Sequence, residues 1–291
     1  MRGHRPRLQP AIGFIGFGEA GTHIANGLRS AGLERLSAFD IRDIHDSAAL
    51  SSTLVVESPA ALADSSDILI AAVTASSALE AATQIAPFLD SRHLYVDINS
   101  VSPALKQQID AVIRTRNAAF VEAAVMAPVA PYGHRVPMLL GGSGAALFAE
   151  TMTPFGMRLE VLQGTVGTAA AVKMCRSIVV KGLEALLFEC VLGANRYGAE
   201  DRVFASLNES FPGIDWKKLA DYMINRVVLH GERRAHEMEE VAETLRAIGI
   251  DPIMAEAAAR RQAWSAGLDL KSRFGADGPA SYRDVLNTIN K

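Results

Sequence analysis

The sequence predicts an α/β fold: a doubly wound parallel sheet followed by an all-α C-terminal domain. Three observations carry that reading. Short apolar runs alternate with helical stretches from Ala11 to Gly142, the succession of strand–helix–strand units that builds a parallel sheet. Asp67-Ile68-Leu69-Ile70-Ala71-Ala72-Val73 is almost continuously apolar, as a strand buried on both faces requires. Beyond Gly164 the strand pattern stops. Ala169, Val172, Ile178, Val179, Leu183, Leu186 and Leu187 then recur at helical spacing, which describes one broad apolar face.

The first unit of the sheet carries the strongest motif. Ile12, Phe14 and Ile15 read as a short buried strand, and Gly16, Gly18 and Gly21 follow in G-x-G-x-x-G spacing. Gly16 allows the tight turn, Gly18 lets a pyrophosphate approach the backbone, and Gly21 lets the next helix pack on the strand. That helix, roughly Glu19 to Ala31, points its free N–H groups at the phosphates, and Gly32 ends it. Gly16, Phe17, Gly18, Glu19, Ala20 and Gly21 are therefore candidate cofactor-binding residues. A second strand, Leu36 to Phe39, ends on Asp40, about 20 positions on, where an acid takes the ribose hydroxyls of a dinucleotide. The alternative is a structural glycine turn in another α/β protein. Strand, glycines, helix, strand and acid in this order favour the dinucleotide (Rossmann) reading.

The remaining strands follow in order. Thr53 to Val56, Asp67 to Val73, Leu94 to Asp97 and Ala119 to Val125 read as strands, and Pro137 to Leu140 as a short added one. Helices are expected at Pro59 to Asp64, Ser77 to Ile85 and from Pro103 to about Thr115; Pro103 suits a first helical turn because its missing N–H would have no partner there. Ligands bind such sheets at the carboxyl ends of the strands. Val73, Thr74, Asn99, Ser100 and Val125 to Pro128 join the glycine loop and Asp40 as candidates on that ground.

The second half reads as all-α. A long helix spans Thr165 to Tyr197, Asp215 caps a helix running to about His230, and Glu232 to Ile248 is closed by Gly249. Pro252 begins another helix, and Pro279 precedes a short last one. The expected organisation is a disordered tail at 1–9, a dinucleotide-binding domain at 10–163 and a helical domain at 164–291. A length of 291 residues fits about two domains of ~150 residues.

Composition narrows the function. Hydrophobic residues make up 49% of the chain, ample for a core, and 29 basic residues against 32 acidic give a net charge of −3, so no nucleic-acid or anionic-membrane partner is indicated. No apolar run approaches the ~18 residues of a membrane span. Cys175 and Cys190 suit a reducing compartment better than a disulfide framework, and a cytoplasmic location is expected. His230 and His236 do not share a helix face, so no metal site is expected.

Lys173 is the leading candidate for chemistry. It is one cation in the otherwise apolar turn Gly167-Thr168-Ala169-Ala170-Ala171-Val172-Lys173. A lysine among apolar groups has a lowered pKa, which suits proton transfer; the alternative is a lysine that extends its ammonium to solvent. His230, Arg233 and Arg234 are candidates for holding an anionic substrate. Their alternative is a solvated helix face with Glu232, Glu239, Glu240 and Glu243 as partners.

Taken together, these motifs resemble the β-hydroxyacid dehydrogenases, the group related to 6-phosphogluconate dehydrogenase and to imine reductases. Gly13 to Gly21 resembles their cofactor loop. Asp97 to Pro103 resembles their D-x-S-T-x-x-P segment, with Asn99 and Ser100 in the hydroxyl positions. Gly167 to Ser177 resembles their G-x-x-x-x-x-K-x-x-x-N helix, whose lysine is the general acid/base. The resemblance implies that Lys173 protonates a carbonyl oxygen as hydride arrives, with Ser100 and Ser177 orienting that oxygen. It also implies that the helical half serves dimerisation and substrate binding.

The chain departs from the family in informative places. Ala20 stands where Met is usual, and Ser177 stands where the helix asparagine is usual. Met126, Ala127 and Pro128 replace the Ser-Gly-Gly that holds a substrate carboxylate, which resembles the imine reductases' segment more than the hydroxyacid one. His230 to Met238 resembles a less-characterised branch with its own C-terminal domain. Asp40 with Ile41 stands where an Asn-Arg pair goes with NADP, and Arg42 follows one position late. NAD is therefore the expected cofactor. The readings that remain open are an alcohol or hydroxyacid dehydrogenase using Lys173, an imine reductase, and a non-catalytic dinucleotide-binding protein. A homodimer is expected because a helix over Thr165 to Tyr197 is roughly 50 Å long at about 1.5 Å per residue, with more apolar surface than one stripe.

Overall fold

The computed structural model describes residues 9–44 and 53–290. Of the expected tail, positions 1–8 lie outside the described residues, as does 45–52 in the polar stretch after Asp40. Gln9 is described and is tied down: its Nε2 donates to Gly32 O and its Oε1 accepts from Glu34 N.

The chain divides into two compact units between Lys173 and Met174. In the first, the elements are β1 (Ile12–Ile15), α1 (Glu19–Ser30), β2 (Leu36–Phe39), β3 (Leu54–Val55), α2 (Pro59–Asp64), β4 (Ile68–Ala71) and α3 (Ala78–Ile85). They continue with β5 (Leu94–Asp97), α4 (Pro103–Arg114), β6 (Ala119–Val125), β7 (Pro137–Gly141), α5 (Ala145–Met152) and β8 (Arg158–Val161). Among the described residues the strands form one eight-stranded sheet in the order β3-β2-β1-β4-β5-β6-β7-β8. From β3 to β6 this is the doubly wound order of dinucleotide-binding sheets, whose direction reverses at β1.

Alternate strand residues feed two cores, one on each face. Ile68 and Ile70 of β4 join Ile12, Phe14, Ile24 and Leu28 on one side. Leu69 and Ala71 join Ile85, Tyr95, Ile109 and Phe120 on the other. This double burial is the reason the strands read as unbroken apolar runs.

The parallel pattern ends at β6. β7 pairs antiparallel with it, in the register Val125↔Met138 and Glu122↔Gly141. A parallel neighbour needs a crossover of a dozen or more residues, usually helical. The 126–136 connection carries only the single-turn helix Gly133–Arg135, so the chain folds back. β8 then pairs parallel with β7 across α5.

The helix α6 (Thr168–Asn195) begins in the first unit and continues into the second. The division thus falls inside α6 and not at Gly164, because the first turn of α6 is bonded to the sheet (below). The second unit continues with α7 (Glu200–Ser210), α8 (Trp216–Ala247), α9 (Ile253–Ala266), α10 (Leu270–Phe274) and α11 (Tyr282–Ile289). The Asp215 carboxylate caps α8 by accepting from Lys218 N at 3.0 Å. The two helices expected here meet at His230, whose backbone is non-helical (φ −134°, ψ 15°) and kinks α8 into two segments. The next residue is glycine for a packing reason: a Cβ on Gly231 would lie 3.0 Å from Gln262 O of α9.

Candidate active site

The glycine loop has the shape its spacing implies. Gly16 adopts φ +82°, and a Cβ there would lie 2.7 Å from both Ala72 O and Val73 Cγ1. The turn from β1 into α1 therefore excludes any side chain at that position. A Cβ on Gly21 would lie 2.9 Å from Gly16 O, so the third glycine lets α1 close on the strand. Gly18 occupies the N-cap of α1 with no side-chain cap, and Glu19 and Ala20 open the helix. Its first N–H groups are left for an anion. The buried Phe17 ring packs edge-on against Phe14, and its N–H donates to Asp40 Oδ2 at 2.8 Å.

A second link joins the neighbouring strand ends. Val73 N donates to Asn99 Oδ1 at 2.8 Å, while Asn99 N donates to Asp97 Oδ1 at 2.9 Å. The Asn99 Nδ2 group is buried and has no hydrogen-bond partner among the described residues. An orphaned donor beside Val73, together with a glycine cradle that excludes side chains, fits a dinucleotide. Gly16, Phe17, Gly18, Gly21, Val73 and Asn99 would line its phosphates and nicotinamide end. Thr74 is exposed, and its hydroxyl bonds to Ser76 and Ser77 in the turn that follows β4.

The corner at the end of β2 differs from expectation. Its sequence position suits Asp40 to accept ribose hydroxyls, but its carboxylate is already engaged within the chain. Besides Phe17 N, it accepts from Arg42 N, Nε and Nη2 at 3.0–3.1 Å. Burial pushes the Asp40 carboxyl up, yet these bonds outweigh it and hold the group below the usual carboxylate range.

The proton-transfer candidates meet one residue further along. Lys173 Nζ donates to Ser100 Oγ at 2.6 Å. Ser100 is exposed and Lys173 half-buried, so ammonium and hydroxyl converge on an accessible point directly after Asn99. Ser177 lies in the second unit and accepts from Lys181 Nζ at 3.0 Å. Met126, Ala127 and Pro128 form the turn leaving β6, where Met126 N donates to Pro137 O and Ala127 packs against the core.

Two residues that the motifs did not single out hold this arrangement. Glu122 is fully buried in β6, and its carboxylate accepts from Gly167 N at 2.8 Å, Ala169 N at 3.2 Å and Ala170 N at 3.4 Å. It anchors the start of α6, the helix that carries Lys173, where a negative charge is favoured by the helix dipole. Gly141, opposite it, leaves the room: a Cβ there would lie 2.5 Å from Glu122 Oε1. Lys106, also buried, donates to Asp97 O at 2.8 Å and pairs with Asp97 Oδ2 at 3.1 Å. Burial pulls its ammonium below the usual lysine range, with Asp97 and Glu122 pushing back. The sequence did carry a signal for it: Lys106, Ile109, Asp110 and Ile113 form the buried face of α4, so a cation occupies an apolar register.

The basic residues of the second unit are engaged within it. Arg234 is buried and its Nη1 donates to Glu184 Oε2 at 2.7 Å, an oxygen that Gln262 also reaches. Arg234 thus serves an internal ion pair, which differs from its expected role toward an anionic substrate. Arg233 is exposed and pairs with Glu237 at 2.9 Å, and Lys181 reaches the other oxygen of that carboxylate. Burial, then the charges of Arg233, Arg226, Arg234 and Lys271, lower the His230 pKa, which favours a neutral imidazole over an anion-holding one. Among the described residues no cluster of three or more His, Cys, Asp or Glu is arranged to hold a metal ion, and no helix is long and apolar enough to cross a membrane.

Residues 11–152 match the NAD binding domain of 6-phosphogluconate dehydrogenase, and residues 194–265 match a domain of unknown function, DUF1932. A conserved hypothetical protein from Sinorhizobium meliloti is 36% identical, with 97% of this chain and 96% of that one covered and a TM-score of 0.80. A conserved protein of unknown function, described as structurally similar to 3-hydroxyacid dehydrogenases, is 31% identical over 88% of this chain and 97% of its own, with a TM-score of 0.75. The mitochondrial 3-hydroxyisobutyrate dehydrogenase of Drosophila melanogaster is 26% identical over 70% of this chain and 64% of its own length. The chain belongs to the β-hydroxyacid dehydrogenases related to 6-phosphogluconate dehydrogenase, in the branch whose NAD-binding domain is followed by its own C-terminal domain.

Proposed function

We propose that this protein is a nicotinamide-dependent oxidoreductase that interconverts a small alcohol or hydroxyacid and its carbonyl form, with Lys173 as general acid/base. The observation that carries this reading is the 2.6 Å contact between Lys173 Nζ and Ser100 Oγ, one residue beyond the Asn99 side chain that binds Val73 N. When bound, the nicotinamide supplies or accepts the hydride. Ser100 holds the substrate oxygen, and Lys173 gives it a proton in reduction or takes one in oxidation. An ammonium there also stabilises negative charge that builds on the oxygen in the transition state. Glu122 keeps Lys173 in place by fixing the first turn of α6.

Met126-Ala127-Pro128 favours a second reading, an imine reductase, because this segment lacks the Ser-Gly-Gly that holds a carboxylate. One experiment separates these readings. Reduced and oxidised cofactors are offered with panels of ketones, hydroxyacids, alcohols and cyclic imines, and nicotinamide absorbance is followed. Turnover of a hydroxyacid or simple alcohol pair is the expected result. Turnover confined to imines would shift the assignment, and cofactor binding with no hydride transfer would leave a non-catalytic role.

We also propose a homodimer. On α6, Val179 and Leu186 are 69% and 57% exposed, and a Cβ on Gly182 or Gly193 would meet nothing within 4 Å. An apolar helix side with open glycines suits close approach of a second copy. Sedimentation should give a dimer at micromolar concentration; a stable monomer would contradict it.

A further inference from the structure

Asp40 ends β2 at the position from which an acid reads the hydroxyls of the adenosine ribose. An ionised carboxylate offers about four lone-pair sites. Here four N–H groups converge on it: Phe17 N and Arg42 Nη2 on Oδ2, Arg42 N and Nε on Oδ1. The Asp40 side chain is only 6% exposed, whereas that of Arg42 is 67% exposed. A hydroxyl arriving at this corner meets a saturated acceptor, while an anion meets a guanidinium.

The guanidinium is also aimed. Arg42 Nη2 lies 3.8 Å from where a Cβ of Gly18 would sit, so the arginine reaches back over the second glycine of the phosphate loop. Its Nε and Nη2 edge is held by the carboxylate, which fixes a planar fork in one orientation.

We infer that Arg42, and not Asp40, determines which dinucleotide this chain prefers: Asp40 positions the guanidinium, and Arg42 receives a 2′-phosphate, so NADP is favoured over NAD. NAD presents ribose hydroxyls that need an acceptor, and Asp40 supplies one only by releasing Arg42. NADP keeps the Asp40–Arg42 pair and adds a charge-assisted contact on the exposed side of the fork. The preference expected from the identity of Asp40 alone is reversed because its neighbour two residues on occupies it. The inference rests on the cofactor assignment and not on proton transfer by Lys173.

The test is a fluorescence titration of the purified protein with NADPH and with NADH, which reads binding without turnover. NADPH should bind roughly tenfold or more tightly, the size of one charge-assisted contact. Arg42→Ala should remove that preference chiefly by weakening NADPH, and Arg42→Lys should retain part of it, since the charge remains but the fork is lost. Arg42 is exposed, so neither variant threatens the fold. Tighter NADH binding by the unsubstituted protein, or a preference unmoved by Arg42→Ala, would overturn the inference. A failure of the Lys173 mechanism would leave these binding constants as they are, so the two are distinguishable.

Discussion

Lys173→Ala is expected to lower turnover by a factor of ~10²–10⁴, the usual size of a general acid/base contribution, with cofactor affinity nearly unchanged. The two halves of that expectation come from separate parts of the site. Lys173 Nζ contacts Ser100 Oγ, which fits a shared role at the substrate oxygen, while the proposed dinucleotide cradle consists of Gly16, Gly21, Val73 and Asn99. Removing the lysine leaves the cradle intact. Lys173→Arg should rescue poorly, because a guanidinium keeps its proton near neutral pH. Steady-state rates and a cofactor titration on the same preparations check both halves.

Lys106→Met is expected to destabilise the protein by about 3–5 kcal/mol, the cost of leaving one member of a buried ion pair without the other. Lys106 is 1% exposed and Asp97 is fully buried, so no water takes over when the ammonium is removed. The loss should appear as a shift of the denaturant midpoint. It should also loosen the turn that presents Ser100, since Asp97 Oδ1 accepts from Asn99 N. Adding Asp97→Asn to Lys106→Met should recover part of the stability, because the uncompensated charge is gone. An unchanged midpoint in the single variant would mean that the pair does not hold β5 and α4 together.

What the sequence conveyed and what it concealed follow from the range of the interactions involved. The glycine loop was legible because its logic is local: Gly16, Gly18 and Gly21 each answer a backbone demand within a few residues. The strands β1, β2, β4, β5 and β6 were legible because their burial leaves apolar runs. β8 was not, since Arg158-Leu159-Glu160-Val161 is a largely exposed edge strand with no such run. α7 and α10 escaped for the related reason that each fully buries a single side chain, Phe204 and Leu270, which leaves a faint pattern. Glu122 is an acid in an apolar strand, but its partners lie 45 to 48 residues away, and no local pattern encodes that distance. Arg234 and Glu184 are separated by 50 residues, so a basic run that reads as a ligand clamp hides an internal pair. Asp40 shows a different limit. Its identity was legible, but the docking of Arg42 on both of its oxygens is a matter of side-chain conformation that residue identity does not encode.

In the proposed mechanism the Lys173 amine moves the proton. Chemical rescue tests it most directly: Lys173→Ala is assayed for hydride transfer with added small primary amines over a range of concentration and pH. Lys173→Ala should turn over little alone, and its turnover should rise with amine concentration at unchanged cofactor affinity. Near-normal turnover by Lys173→Ala without added amine would contradict it.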